Sequence, residues 1–172
     1  MPIHFDDVDV IPEVAGLSSA LIVFCNMCPA ATVAVRQKKP FLRLFGGVLK
    51  SAPFAQYLRE LQSDLKENGV ESKVFKSIPY HQWFMCMWTA RRRKKLQKCA
   101  RDYDAVIGLG CDSATETVRD VVDSDRCKVI EGMKTTGIMN AQLTFGLTGR
   151  VSFQNCKTVP LSRDDGAEAV AG

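Results

Sequence analysis

Two short, uninterrupted apolar runs are the feature that most constrains the fold of this chain of 172 residues. The first run covers residues 21–24 and the second covers residues 105–110. Runs of this length are typical of strands that are buried on both faces of a sheet. Segments with helical signals alternate with the predicted strands along the chain. This alternation predicts parallel strands that are joined by helices.

The element order β-α-β-α-β-α-β follows from the remaining signals. One helix begins at Ser51, an N-cap residue, and stops at Asn68. A capping-box sequence that begins at Ser113 opens a later helix. Because parallel crossovers are right-handed, we predict an α/β fold, flavodoxin-like or Rossmann-like, with three layers and a mostly parallel sheet of four or five strands. The predicted strands are residues 19–25, 72–78, 103–110 and 126–130, and the middle helix covers 81–102.

The domain organisation is predicted from composition. Residues 1–16 are acidic, contain two prolines and predict an irregular N-terminal arm. Residues 17–161 are predicted to form a single α/β domain. Within this domain, residues 135–153 contain several glycines, which predicts loops and one short strand at 150–153. Residues 162–172 are small and acidic and predict a disordered tail.

Seven cysteines and two histidines are an unusual balance. No basic and apolar leader opens the chain, and no apolar run reaches the roughly 18 residues of a membrane span. We therefore expect a cytoplasmic protein that does not associate with a membrane and whose thiols stay reduced. The formal net charge of +4 is mild and gives no reason to expect nucleic-acid binding. No Ser-His-Asp or paired-carboxylate arrangement suggests hydrolysis.

Four cysteines are expected to meet at one edge of the sheet. Cys25 and Cys28 form a C-x-x-C after the first apolar run, and Cys111 follows the second. The carboxyl ends of parallel strands share one edge, where ligands bind in open α/β sheets. Cys86 lies between them in an aromatic and methionine-rich stretch, at the start of the predicted middle helix. Several thiolates in one small volume predict a zinc site or an iron–sulfur cluster.

Other interpretations of the cysteines stay open. A C-x-x-C at a helix start also suits a thiol-disulfide redox protein, and buried cysteines can be inert packing. Four thiolates do not distinguish zinc from iron–sulfur. We interpret Cys99 and Cys127 as packing residues, and Cys156 as a possible spare ligand.

The densest charge run follows the aromatic stretch. Arg91, Arg92 and Lys95 are candidates for docking an anion, such as an acidic substrate tail, although a solvated helix face is the ordinary explanation. The apolar stretch at residues 80–88 is either core or a partner surface. A metal-free interaction module that uses this patch and the basic helix is therefore an alternative function.

The segment 104–118, with sequence DAVIGLGCDSATETV, resembles the strand–cysteine–helix segment of the methylene-tetrahydrofolate reductase C-terminal domain family, which includes the small subunit of the acetogen-type reductase. The pair Cys25 and Cys28 matches a cysteine pair of that family, and Cys86 matches another cysteine in position. The resemblance implies a zinc- or iron–sulfur-binding subunit in anaerobic one-carbon metabolism. It also implies a protein partner, either the reductase or a methyl-transfer subunit, and a folate or corrinoid nearby. Whether the chain catalyses a reaction stays open.

Overall fold

A computed structural model describes residues 3–43, 51–75 and 83–161. The first half of the chain contains β1 (Ile3–Asp7), α1 (Ile11–Val14), β2 (Ser19–Phe24), α2 (Cys28–Arg36), β3 (Leu42–Arg43), α3 (Ala52–Glu67) and β4 (Glu71–Val74). The second half contains a 3₁₀ helix (Met85–Met87), α4 (Ala90–Ala100), β5 (Ala105–Leu109), α5 (Asp112–Arg119), β6 (Lys128–Glu131), β7 (Met133–Phe145) and β8 (Arg150–Pro160). The predicted tail, residues 162–172, lies outside the described residues.

A four-stranded parallel sheet in the order β4-β2-β5-β6 contains the four strands predicted at 19–25, 72–78, 103–110 and 126–130, as far as these residues are described. The central strands β2 and β5 are almost completely buried, as their continuous apolar runs indicate. The predicted helix after Ser51 is also confirmed, with Ser51 in the N-cap position of α3.

A second, antiparallel sheet in the order β1-β7-β8-β3 overturns the predicted fold class. The protein has two sheets of different kinds, so the prediction of a flavodoxin-like or Rossmann-like three-layer fold with a mostly parallel sheet was wrong. The error has two sources. Residues 133–160 form a long β-hairpin, in which the predicted short strand at 150–153 is only the start of β8 and the predicted loops are strand. The hairpin was missed because glycines interrupt its sequence and many of its side chains are exposed, so the apolar alternation of a half-buried strand is absent. The expected irregular arm contains β1, whose Phe5 is completely buried although two aspartates follow it.

The predicted middle helix at 81–102 was wrong at its start; its first two residues lie outside the described part of the chain. Phe84 has a left-handed backbone with φ of 52°, and Trp88 is extended, so the chain forms a 3₁₀ turn between them before α4 begins. A bulky residue with positive φ cannot continue a right-handed helix. Cys111, not Ser113, is the N-cap residue of α5, so the capping box was placed two residues too late.

The parallel sheet separates two apolar clusters. Alternate residues of β2 such as Ile22 face α2, α3 and the antiparallel sheet, whereas Leu21 and Val23 face the cluster that contains Leu96 of α4 and Val118 of α5. No helix in the described ranges is both long and apolar enough to cross a membrane.

Candidate functional site

Three of the four predicted ligands lie where β2 and β5 end. Cys25 directly follows β2, and its backbone N–H donates a 2.9 Å hydrogen bond to the carbonyl oxygen of Leu109, the last residue of β5. Cys28 is the first residue of α2 and is followed by Pro29. Proline suits the first turn of a helix because it has no backbone N–H group, and N–H groups at that position have no partner within the helix. Cys111 is the N-cap of α5.

Gly110 allows the two strand ends to approach. A Cβ atom placed on Gly110 would lie 2.5 Å from the Cβ of Ala114 and 3.8 Å from the Cβ of Cys25. Only a glycine therefore lets α5 start this close to β5. The turn is closed by the backbone N–H groups of Ala114 and Thr115, which donate to the Cys111 carbonyl oxygen at 2.7 and 2.9 Å.

Cys86 reaches the same region from a third segment. It lies on the 3₁₀ helix, which packs against α5. Unlike the other three cysteines it is exposed, because the left-handed residue Phe84 turns the chain outward while Met85 fills the core.

Three pairs among the four thiols are electrostatically coupled. The charge of Cys28 raises the pKa of Cys25 in addition to the larger effect of burial. The pKa of Cys111 is likewise raised first by burial and then by the charges of Cys28 and Cys86. Because like charges disfavour ionisation when they lie near each other, this coupling agrees with the meeting of their segments at this edge of the sheet.

Backbone N–H groups are directed at two of the sulfur atoms. Those of Met85, Met27 and Phe84 hydrogen bond to Cys25 and lower its pKa, which partly offsets burial. The backbone N–H groups of Ala114 and Ser113 likewise lower the pKa of Cys111, although its side chain makes no capping hydrogen bond. Hydrogen bonds to sulfur stabilise the thiolate form, which is the form that binds metals.

The positions of the side chains also set a limit. In the described ranges, no group of three or more Cys, His, Asp or Glu side chains is arranged to hold a metal ion. The donor set is four thiols, with backbone N–H groups near two of them, and it suits a soft metal. In this arrangement, however, the thiols are not placed as ligands of one ion. Binding a metal would require them to move closer together.

The other three cysteines lie elsewhere. Cys99 is half-buried on α4, and Cys156 is exposed on β8. Cys127 is buried next to the first residue of β6, at the opposite edge of the parallel sheet, and its pKa is raised by burial and by the charge of Asp104. None of the three is coupled to the four-cysteine group in the described structure.

The predicted anion-docking residues are divided between two environments. Arg91 is exposed on α4. The Arg92 guanidinium lies 5.4 Å from the centre of the Trp88 ring, and the Lys95 ammonium lies 5.7 Å from that of Phe75. These two cations therefore anchor α4 to the fold by cation–π contact.

Sequence reasoning missed the backbone donors of Met27, Phe84 and Met85. Backbone N–H groups carry no residue-specific signal, and the left-handed Phe84 that directs two of them was not predicted. It also missed two unpartnered donors beside the site. The indole Nε1 atoms of Trp83 and Trp88 are buried without a hydrogen-bond partner among the described residues.

Comparison of the chain with protein-family models, with curated proteins and with solved structures found no match.

Proposed function

We propose that Cys25, Cys28, Cys86 and Cys111 bind one metal centre, either zinc or an iron–sulfur cluster. The observation that carries the proposal is that the ends of the adjacent strands β2 and β5 bring Cys25, Cys28 and Cys111 to one edge of the sheet, with Cys86 on the turn that packs against α5. Four thiolates are the donor set of both structural zinc and iron–sulfur centres.

The backbone supports this reading. Metal-bound sulfur atoms usually accept hydrogen bonds from their surroundings, and these bonds orient the ligand and tune the centre. Cys25 and Cys111 already have backbone N–H groups near them that lower their thiol pKa values and partly offset burial.

Burial of the metal-free site determines its proton chemistry. Desolvation raises the pKa of Cys25 and of Cys111, so both are neutral thiols at neutral pH. Binding a metal displaces their protons, so the affinity for metal increases with pH. The same raised pKa argues against a thiol-disulfide enzyme, because the first cysteine of a reactive C-x-x-C is normally accessible and has a lowered pKa.

We also propose that the centre serves a partner protein. Cys86 is the exposed member of the group, so it offers the route by which electrons or a ligand would reach the site. The similarity of segment 104–118 to the reductase family supports a place beside a folate or corrinoid methyl-transfer protein. Structural and electron-transferring roles are both compatible with this arrangement.

The test is metal and acid-labile sulfide content, with a visible absorption spectrum, of protein purified without oxygen. We expect about one zinc ion or one cluster for each chain. Cys28→Ser and Cys86→Ser should each lose most of it, because neither residue is completely buried and both variants should fold. Matched controls are Cys99→Ser and Cys156→Ser, which should retain the wild-type content.

Two outcomes would contradict the proposal. One is metal-free protein with all seven thiols titrating as free in the native state. The other is equal metal loss in the control variants, which would indicate adventitious binding. Thermal unfolding of every variant, followed by circular dichroism, separates loss of metal from loss of fold.

A further inference from the structure

The outer face of α4 carries a stripe of four cations. Arg91, Lys94, Lys98 and Arg101 follow one another at intervals of three, four and three residues, so they lie on one side of the helix and its C-cap. All four are exposed, and the opposite side buries Leu96. We call these four residues the α4 stripe.

This arrangement does not stabilise the helix. Consecutive members of the stripe are like-charge neighbours, which repel each other. Arg91 and Lys94 also lie in the first turns, near the positive end of the helix dipole, and no acidic residue occupies that turn. Among the ion pairs of the described residues, none involves a member of the stripe.

The helix α3 shows that an exposed helix face in this fold can carry a different charge pattern. The exposed face of α3 mixes both signs, with Arg59 and Lys66 beside Glu60, Asp64 and Glu67. A face that only has to stay solvated can use such a mixture. The unmixed stripe of α4 is therefore better explained by an anionic partner than by solvation.

The stripe is held on a firmly attached helix. Arg93 pairs with Asp120, the C-cap residue of α5, at 3.2 Å and donates a hydrogen bond to the Trp88 carbonyl oxygen at 3.4 Å. Together with the contact of Arg92 on the Trp88 ring, these bonds fix the start of α4. A partner would meet the stripe in one defined orientation, with little ordering cost.

Exposed apolar side chains lie on the turn that precedes α4, four and seven residues before Arg91. Phe84 is 46% exposed and Met87 is 68% exposed. The exposed Cys86 lies between them in the sequence, directly before Met87. Aromatic residues, methionine and arginine are the side chains that are enriched in protein–protein interfaces. This composition favours a protein partner over a nucleic acid.

We propose that the α4 stripe, together with Phe84 and Met87, docks an acidic protein segment that carries apolar side chains, beside the thiol of Cys86. Carboxylates of the partner would pair with the stripe, and its apolar residues would cover Phe84 and Met87. The surface does not require a metal, so this proposal and the proposed metal centre can fail separately.

The test uses a fluorescein-labelled synthetic peptide that is rich in glutamate and contains leucine and phenylalanine, with binding followed by fluorescence anisotropy at low salt. A stripe variant, Arg91→Glu/Lys94→Glu/Lys98→Glu, should bind about tenfold more weakly or worse. The matched control is Lys38→Glu/Lys39→Glu/Arg150→Glu, which changes the net charge equally at a basic cavity between α2 and the β7–β8 hairpin. It should bind within about threefold of the wild type.

Two further readouts sharpen the test. Met87→Ser should weaken binding without changing its dependence on salt, because it removes an apolar contact and no charge. A polyglutamate peptide without apolar residues should bind more weakly than the mixed peptide. Circular dichroism of each variant confirms that it is folded.

Three outcomes would overturn the proposal. The first is that the mixed peptide does not bind the wild type. The second is an equal loss of affinity in the stripe and control variants, which would indicate unspecific attraction. The third is a single-stranded DNA oligonucleotide of matched charge that binds more tightly than the peptide and depends on the stripe. That result would make the surface a nucleic-acid site.

Discussion

Replacing Gly110 by alanine tests how closely α5 packs against the end of β5. The added Cβ would lie 2.5 Å from the Cβ of Ala114. Carbon atoms that are not bonded to each other pack at about 3.5–4.0 Å, so this contact is too short by about 1 Å. The Ala114 Cβ has no side-chain torsion that could move it away. The first turn of α5 must therefore shift, and Cys111 with it.

Such overpacking typically costs about 1–3 kcal/mol of unfolding free energy. For a protein of this size each kcal/mol corresponds to about 2–4 °C, so the melting temperature should fall by roughly 2–12 °C. Gly108→Ala is the matched control on the same strand. Its added Cβ would meet no atom closer than 3.8 Å, so its stability should be unchanged or slightly increased.

Urea unfolding followed by tryptophan fluorescence measures both variants. A double-mutant cycle with Ala114→Gly adds a direct check of the cause. Ala114→Gly alone should destabilise the helix, yet it should recover part of the loss caused by Gly110→Ala, because it removes the opposing methyl group. The reasoning would be refuted if Gly110→Ala were as stable as Gly108→Ala, or if the two changes at positions 110 and 114 were simply additive.

Two predictions concern pH. Burial raises the pKa of Cys25 and of Cys111 in the metal-free protein. The stability that depends on these thiols is therefore complete below the unfolded pKa of about 8.5 and is lost as pH rises through the folded values. The urea midpoint should accordingly fall less steeply above neutral pH in Cys111→Ser than in the wild type. In acid the relevant group is Asp104, whose pKa is lowered by hydrogen bonds from the backbone N–H groups of Ser18 and Ser19 and from the Ser19 hydroxyl. Its contribution to the stability of the fold is present above about pH 3.9 and is lost as pH falls through the lower folded pKa. Asp104→Asn should lower stability at neutral pH and flatten its dependence on pH in acid, and a variant with the acid dependence of the wild type would exclude this role.

The sequence by itself determined the parallel sheet. A strand with a continuous apolar run can bury all of its side chains only when both of its faces are covered. β2 and β5 were therefore recognisable without any tertiary information. The periodicity of α3 and its N-cap at Ser51 were equally local signals. The expectation that Cys25 and Cys111 lie close together followed from this sheet alone, because adjacent parallel strands end at one edge.

Only the tertiary structure decided the second sheet. The ribbon of β7 and β8 is exposed over much of its length, so it lacks the apolar alternation that marks a half-buried strand. β1 is held by its pairing with β7 and by the burial of Phe5, which are long-range effects that its acidic sequence does not reveal.

The surroundings of the thiols were also beyond the sequence. The left-handed backbone of Phe84 directs N–H groups at Cys25 and leaves Cys86 exposed, and a non-glycine residue adopts that conformation only when its surroundings impose it. The sequence determined which residues could bind, namely four cysteines after two strands and in one turn. Packing across the fold decided which of them are buried, which is accessible, and which backbone groups contact their sulfur atoms.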